Sequence, residues 1–180
     1  ANTASTCDGA CSAGYYCPTG SIAATNATCG SNNYCAASAS SATACPTNSA
    51  TLNATAMAIG HCLGDAGYYN CDSGTCSAAG TGFYSPSSDN SRYACTAGRY
   101  GNTTINSAST CDGACSVNYY SPAGSNAATN ATCTSNSNST AGAAAALDCS
   151  CDADYYDTDG DTGGRACTAV GTGYYSAGFS

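Results

Sequence analysis

Residues Thr6–Cys29, TCDGACSAGYYCPTGSIAATNATC, return as Thr110–Cys133, TCDGACSVNYYSPAGSNAATNATC, with nineteen of twenty-four positions identical at a constant offset of 104. The offset aligns Cys7 with Cys111, Cys11 with Cys115, Cys29 with Cys133 and Cys45 with Cys149. Further along, DAGYYN (Asp65–Asn70) resembles DADYYD (Asp152–Asp157), and GTGFYS (Gly80–Ser85) resembles GTGYYS (Gly171–Ser176) at an offset of 91. Internal self-similarity of this kind is the first thing a fold reading has to respect. It divides the chain into a full unit, residues 1–104, and a shortened second unit, residues 105–180, and reads as an excerpt of a longer array.

A chain of this composition has little with which to build an aliphatic core. It contains no Lys, Glu, Gln or Trp, and Leu, Ile, Val and Phe together number ten of 180 residues. Such a poverty of large apolar side chains ordinarily leaves a chain disordered, because buried surface does not offset the chain entropy. The sixteen Cys change that expectation. An even, dense set of cysteines in a core-poor chain reads as a disulfide framework made in an oxidising compartment. The chain begins at Ala1 with neither Met nor a basic leader, and reads as a mature product or as a piece of something longer. The expected location is extracellular, secreted or at the cell surface.

A shorter beat runs inside each unit. Aromatic pairs recur at Tyr15-Tyr16, Tyr68-Tyr69, Phe83-Tyr84, Tyr119-Tyr120, Tyr155-Tyr156 and Tyr174-Tyr175, with Gly and Pro on either side. Adjacent strand residues face opposite ways, so one ring of each pair is expected on a disulfide and the other outward. The punctuation predicts strands of two to four residues joined by tight turns. Helix is confined to a turn or two at Leu52–Ile59 or Ala143–Leu147. The expected fold is an elongated tandem array of small disulfide-rich modules, built of short β-hairpins and irregular loops.

The copies also bear on connectivity. A disulfide present in one copy and absent from the other is expected to lose both partners. Two positions change from Cys to Ser across the aligned block, Cys17 to Ser121 and Cys35 to Ser139. The comparison therefore predicts a Cys17–Cys35 bond. The CTAGRYGNTT…C stretch suggests Cys95 with Cys111, which leaves Cys7 to look for a partner upstream of Ala1.

CSAGYYCPTGS, CTAGRYGNTT and CSVNYYSPAGS resemble the ephrin-receptor-like cysteine-rich repeat, of the C-x-x-G-Y-Y-x-P-x-G-S kind. The likeness covers Cys7–Gly20, Cys76–Gly101 and Cys111–Ser125, and is poor over Ser31–Gly60 and Ser135–Gly164. Such repeats occur in long extracellular arrays, including large surface proteins of single-celled eukaryotes. The resemblance implies a disulfide-rich rod of small modules and brings no catalytic residues with it. The Ser at 121 departs from its cysteine pattern.

Five N-x-[ST] sequons, at Asn26, Asn53, Asn102, Asn130 and Asn138, are candidate N-glycosylation sites, and Asn26 and Asn130 are equivalent in the two copies. Ser and Thr number 48, with stretches such as Ala36–Ala44 open to O-glycosylation. DADYYDTDGDTGG sets Asp152, Asp154, Asp157, Asp159 and Asp161 within ten residues. Alternating Asp followed by Gly resembles the start of an oxygen-ligand loop, making Asp157, Asp159 and Asp161 a candidate Ca2+ site that lacks a closing Glu.

Other chemistries fare worse. His61 beside Cys62 resembles a Cys–His nucleophile, but no basic residue lies nearby to activate the thiol. CDGAC occurs twice at zinc-ligand spacing and Cys149-Ser150-Cys151 is close-set, yet an oxidising setting favours disulfides over thiolate ligands. Thr is scattered rather than periodic, so it forms no flat hydroxyl array for ice. With no Glu or Lys and a single His, general acid–base catalysis lacks its usual residues, and no catalytic residue is assigned. A net charge of −8 opposes binding to nucleic acid and to anionic membranes, and no 18-residue apolar run is present to insert into a bilayer. The reading is a non-enzymatic structural subunit of a glycosylated fibre or flagellar-hair-like filament, its partners being copies of itself and glycans. The alternative is an adhesion or receptor ectodomain with a ligand-binding face.

Overall fold

Among the described residues, 9–158 and 166–174 of a computed structural model, nine two-stranded antiparallel hairpins follow one another. β1 (Tyr15–Tyr16) pairs with β2 (Ala27–Thr28), β3 (Asn33–Tyr34) with β4 (Thr43–Ala44), and β5 (Ser49–Thr51) with β6 (Cys62–Gly64). β7 (Tyr68–Tyr69) pairs with β8 (Ser77–Ala78), β9 (Phe83–Tyr84) with β10 (Tyr93–Ala94), and β11 (Arg99–Tyr100) with β12 (Gly113–Ala114). β13 (Tyr119–Tyr120) joins β14 (Ala131–Thr132), β15 (Ser137–Asn138) joins β16 (Ser150–Cys151), and β17 (Tyr155–Asp157) joins β18 (Cys167–Ala169). Helix is limited to single 3-10 turns at Ile59–His61, Cys71–Ser73 and Ala146–Asp148. The protein is thus a set of small disulfide-rich hairpin modules with little helix.

The aromatic pairs mark only some of these modules. Asn33-Tyr34, Ser49-Ala50, Arg99-Tyr100 and Ser137-Asn138 occupy the same place in hairpins that the aromatic beat does not reveal. What all nine share lies just before the first strand. Each opens on a small residue, Cys, Gly or Ala, and three residues later the backbone turns left-handed. The left-handed residues are Gly14, Asn32, Asn48, Gly67, Gly82, Gly98, Asn118, Asn136 and Asp154, with φ between 62° and 86°. Only Gly, Asn and Asp appear there, the residues that enter this region most easily. Three residues further on comes a junction residue, again mostly small: Cys17, Cys35, Thr51, Asn70, Ser85, Gly101, Ser121, Ser139 or Asp157.

Contacts divide the chain into two compact units, Ala1–Ala78 with Ser85–Arg92, and Ala79–Tyr84 with Tyr93–Ser180. The sequence repeat, broken at 104/105, is a boundary of similarity and lies elsewhere. Within the first unit, the Gly14 N–H donates to the Cys35 carbonyl and the Gly67 N–H to the Ser85 carbonyl. The Cys17 and Cys35 N–H groups donate to Ala39 and Ala56, and the Ser38 N–H returns a bond to the Cys11 carbonyl. The second unit repeats the scheme. Gly82 donates to Gly101, Gly98 to Ser121 and Asn118 to Ser139, while Gly124 and Gly142 donate back to Cys95 and Cys115. Successive modules inside a unit are therefore joined chiefly through backbone groups.

The buried set follows from this. The core consists of Cys11, Cys29, Cys35, Cys62, Cys71, Cys95, Cys115, Cys133, Cys149 and Cys151 with Ala56, Ala79 and Ala143, and of polar Ser85, Asn106, Ser121, Ser125 and Ser139. The buried Ser85 and Ser139 hydroxyls donate to the Tyr68 and Tyr119 carbonyls, each at 2.8 Å. The expected division into one ring in and one out is not seen in four of the pairs, whereas Tyr155 is half-buried with Tyr156 exposed, and Tyr175 lies outside the described residues. Both members of the Tyr15-Tyr16, Tyr68-Tyr69, Phe83-Tyr84 and Tyr119-Tyr120 pairs are half-buried. Arg92 lies 5.2 Å above the Tyr69 ring, and Tyr84 sits 5.6 Å from Tyr93.

The left-handed glycine at 98 tests this architecture. Its φ is +81°, and a Cβ there runs into the Gly142 carbonyl. Gly20 has φ +88° but open space around it. Gly20→Ala is expected to lose about 1–2 kcal/mol from the backbone alone, and Gly98→Ala about 1–3 kcal/mol more from the clash. Guanidinium unfolding of the oxidised chain measures both; equal losses refute the close approach.

Candidate functional site

The chemistry of this chain is concentrated in its cysteines, hydroxyls and carboxamides. Among the described residues seven disulfides are formed: Cys11–Cys17, Cys29–Cys35, Cys45–Cys62, Cys71–Cys76, Cys95–Cys111, Cys133–Cys149 and Cys151–Cys167. Such a set belongs to an oxidising environment. Four of them, at separations of 16 or 17, tie an opening residue to the returning limb of its own hairpin. Cys95 and Cys111 belong to this group.

Cys17 and Cys35 do not bond to each other. Each is a junction residue and pairs with the opening residue of its own hairpin, six positions earlier, at Cα separations of 5.8 and 5.9 Å. That spacing suits a disulfide. The inference from paired loss fails because two different staples are affected. Ser121 stands where the partner of Cys115 would be, and leaves Cys115 a free, buried thiol. Ser139 stands opposite Cys133, which bonds instead to Cys149. The counterpart of Cys149, Cys45, is bonded to Cys62. Cys7 lies outside the described residues.

The Cys115–Ser121 pair is where the copies differ most in chemistry. The Cys115 thiol donates to the Ala143 carbonyl at 3.1 Å and the Tyr119 carbonyl at 3.4 Å. The Ser121 N–H donates to the same Ala143 carbonyl at 3.0 Å. The Ser121 hydroxyl, fully buried, has no hydrogen-bond partner. Sequence comparison flagged Ser121 as a substitution but gave no sign that its former partner stays behind unpaired.

The other candidates are placed as follows. Cys62 is consumed by its disulfide, and His61 Nδ1 accepts the Met57 N–H at 3.4 Å, so no Cys–His nucleophile is assembled there. Cys149 and Cys151 sit in separate disulfides, and Cys11 and Cys111 are also bonded, which removes the thiolates a zinc site requires. Asp157 lies in β17 opposite Cys167, while Asp159 and Asp161 are outside the described residues. Among the described residues no group of three His, Cys, Asp or Glu is arranged for a metal, and no helix is long and apolar enough to cross a membrane.

All five sequon asparagines are exposed. They are not equivalent. Asn53 Oδ1 accepts the Thr55 N–H and hydroxyl, leaving its nitrogen outside that turn. Asn138, within β15, donates its side-chain nitrogen to Asp152 at 2.6 Å. Asn26 and Asn130 directly precede β2 and β14.

Asp112 is a polar centre that motif reading did not find. Its carboxylate accepts the Thr103 N–H and hydroxyl, each at 2.9 Å, and the Asn106 side-chain amide at 3.3 Å. Desolvation, the largest single influence, pushes the carboxyl up, but the hydrogen bonds from Thr103, Asn106 and the Asn102 backbone together outweigh it and hold it below the ordinary Asp value.

Compared with known proteins, the chain matches no family model and no curated protein.

Two outcomes are expected. Ser121→Cys closes a bond to Cys115 that mirrors Cys11–Cys17. In the unmutated chain Cys115 resists alkylation until the protein is denatured; in the variant, peptide mapping finds it protected until reduction. Alkylation of Cys115 in the denatured, unreduced variant refutes the pairing. For Asp112, the depressed pKa means its stabilising contribution is full above the unfolded value of about 3.9 and disappears as pH falls through the folded value. Amide exchange at Thr103 is therefore expected to accelerate on acidification below about pH 4, and Asp112→Asn abolishes that pH step.

Proposed function

We propose that this chain is a structural, non-enzymatic subunit of an extracellular glycosylated fibre, of the kind that forms surface filaments or flagellar hairs. The observation that carries the reading is the recurrence of one small hairpin plan, held to its neighbours within each compact unit by the same backbone hydrogen bonds. Modules of this type interact mainly with adjacent modules, which is how quasi-one-dimensional arrays are built. When such units associate head to tail without closing, they form filaments.

Surface chemistry supports the same reading. Charged residues are 8% of the chain, and all five sequon asparagines are exposed. Glycans on these positions supply the solubility that charge does not. The near-identity of Thr6–Cys29 and Thr110–Cys133 favours a scaffold over a ligand-reading surface, where copies diverge in exposed residues. The resemblance to ephrin-receptor-like cysteine-rich repeats agrees with an extracellular array. Because the nitrogen of Asn138 is engaged by Asp152 inside a strand, the glycans belong on Asn26, Asn53, Asn102 and Asn130 rather than on Asn138.

Negative-stain microscopy of native material tests the assembly: filaments are expected, and dispersed monomers alone at working concentration overturn the proposal. Glycopeptide mapping tests the decoration, with hexosamine expected at Asn26 and Asn130 and an unmodified Asn138.

A further inference from the structure

Two of the nine described hairpins hold no disulfide. One is β13/β14, where Cys115 keeps its thiol. The other is β9/β10, which opens on Ala79, has Ser85 at its junction, and contains no cysteine between Cys76 and Cys95. Its strands are joined by a different contact. Tyr93 lies directly opposite Tyr84 in the register, with ring centroids 5.6 Å apart and planes inclined by 33°. Side chains directly opposite in an antiparallel pair share one face, and this separation is within the contact range of aromatic rings. In the other described hairpins the strand tyrosines face small or hydroxyl-bearing residues: Tyr15 faces Thr28, Tyr68 faces Ala78, and Tyr100 faces Gly113. Tyr84 is half-buried, which holds its ring, while Tyr93 is 45% exposed and open to a reagent in solution.

We propose that Tyr84 and Tyr93 are an oxidative cross-linking site, where a dityrosine closes the one described module that has no cysteine of its own. Each phenol loses one electron and its hydroxyl proton, giving two phenoxyl radicals. These couple through a ring carbon ortho to each oxygen, and the hydrogen displaced from each of those carbons returns to the oxygen. The net change is one new C–C bond and the loss of two electrons and two protons. Hydrogen peroxide, acting through a peroxidase, takes both pairs and leaves as two water molecules. The register supplies the orientation, because reacting groups already in contact avoid the entropy cost of meeting. The contact lies within one chain, so the proposal does not depend on filament assembly.

The test is oxidation of the full disulfide-bonded chain by peroxidase and hydrogen peroxide, followed by isolation of the monomeric product in denaturant. After reduction and alkylation, trypsin cuts at Arg92 and Arg99 and releases Tyr93–Arg99, a peptide with one tyrosine. The expected product is this peptide tethered to the segment that ends at Arg92, with two hydrogens missing and fragment ions placing the bond at Tyr84. Its yield is expected to exceed that of any other tyrosine pair by about tenfold. Tyr84→Phe and Tyr93→Phe each abolish the tether, whereas Tyr69→Phe, in the same tryptic segment as Tyr84, leaves it. A product tethered through another tyrosine, or no tethered product at all, overturns the proposal. The fragment ions of the unmutated chain decide this even where a variant fails to form Cys95–Cys111.

Discussion

The junction residues Cys35, Ser85, Gly101, Ser121 and Ser139 are buried, and at each of these the main chain is hydrogen-bonded to the preceding module of its unit. The carbonyl accepts from the left-handed residue of that module; at Cys17, Cys35, Asn70, Gly101 and Ser121 the N–H donates onward to the next loop. A buried peptide group without a partner costs about as much as the hydrogen bond it lacks. A chain with ten large aliphatic and phenylalanine side chains has little apolar burial with which to offset such losses. The close approach of backbone to backbone solves this, and it sets the other conditions. The opening residues are small, the junction residues mostly so, and the residue between them is left-handed.

Seen in this way the disulfides reinforce a fold whose geometry the backbone already specifies. An opening residue has two places within reach of its thiol: the junction residue six positions on, and the returning limb 16 or 17 positions on. The copies choose differently. Cys29 takes the near partner, while its equivalent Cys133 takes the far one. Either closure removes unfolded-state entropy, by about 2 kcal/mol for the short loop and about 3 kcal/mol for the long one on the chain-entropy account. The main-chain hydrogen bonds at the junction are the same with Cys35 and with Ser121 in that place, although the disulfide partners differ. Cys115 is the remnant of such an exchange, its thiol satisfied by carbonyls rather than by sulfur.

Much of the fold was legible from residue order. Alternation of Gly, paired aromatics and Pro announced two-residue strands, and the cysteine density announced cross-linking instead of an aliphatic core. The modules at Asn33-Tyr34, Ser49-Ala50 and Ser137-Asn138 were not legible. Their defining residues are Asn32, Asn48 and Asn136, and a left-handed asparagine looks like any other asparagine in a chain so rich in them. The Asp112 centre was hidden for a similar reason. Its partners Thr103 and Asn106 sit in a loop, and only the closure of that loop by Cys95–Cys111 brings them to the carboxylate. The five sequons were all visible as motifs, yet only the folded chain sets Asn138 apart, within β15 and with its side-chain nitrogen held by Asp152.

The sequence by itself determined the class of structure, because composition limits what can be buried and local residue choice limits where the backbone can turn. It also determined which positions in the two copies correspond. Apart from Cys95–Cys111, which residue order suggested, tertiary structure decided which sulfur meets which, since a thiol bonds to whatever the folded chain brings within disulfide reach. Cys17 and Cys35 are lost together in the second copy, which suggested a shared bond, but they occupy the same place in successive modules and each faces its own opening residue. That arrangement is a property of the stacking, and no comparison of residues along the chain contains it.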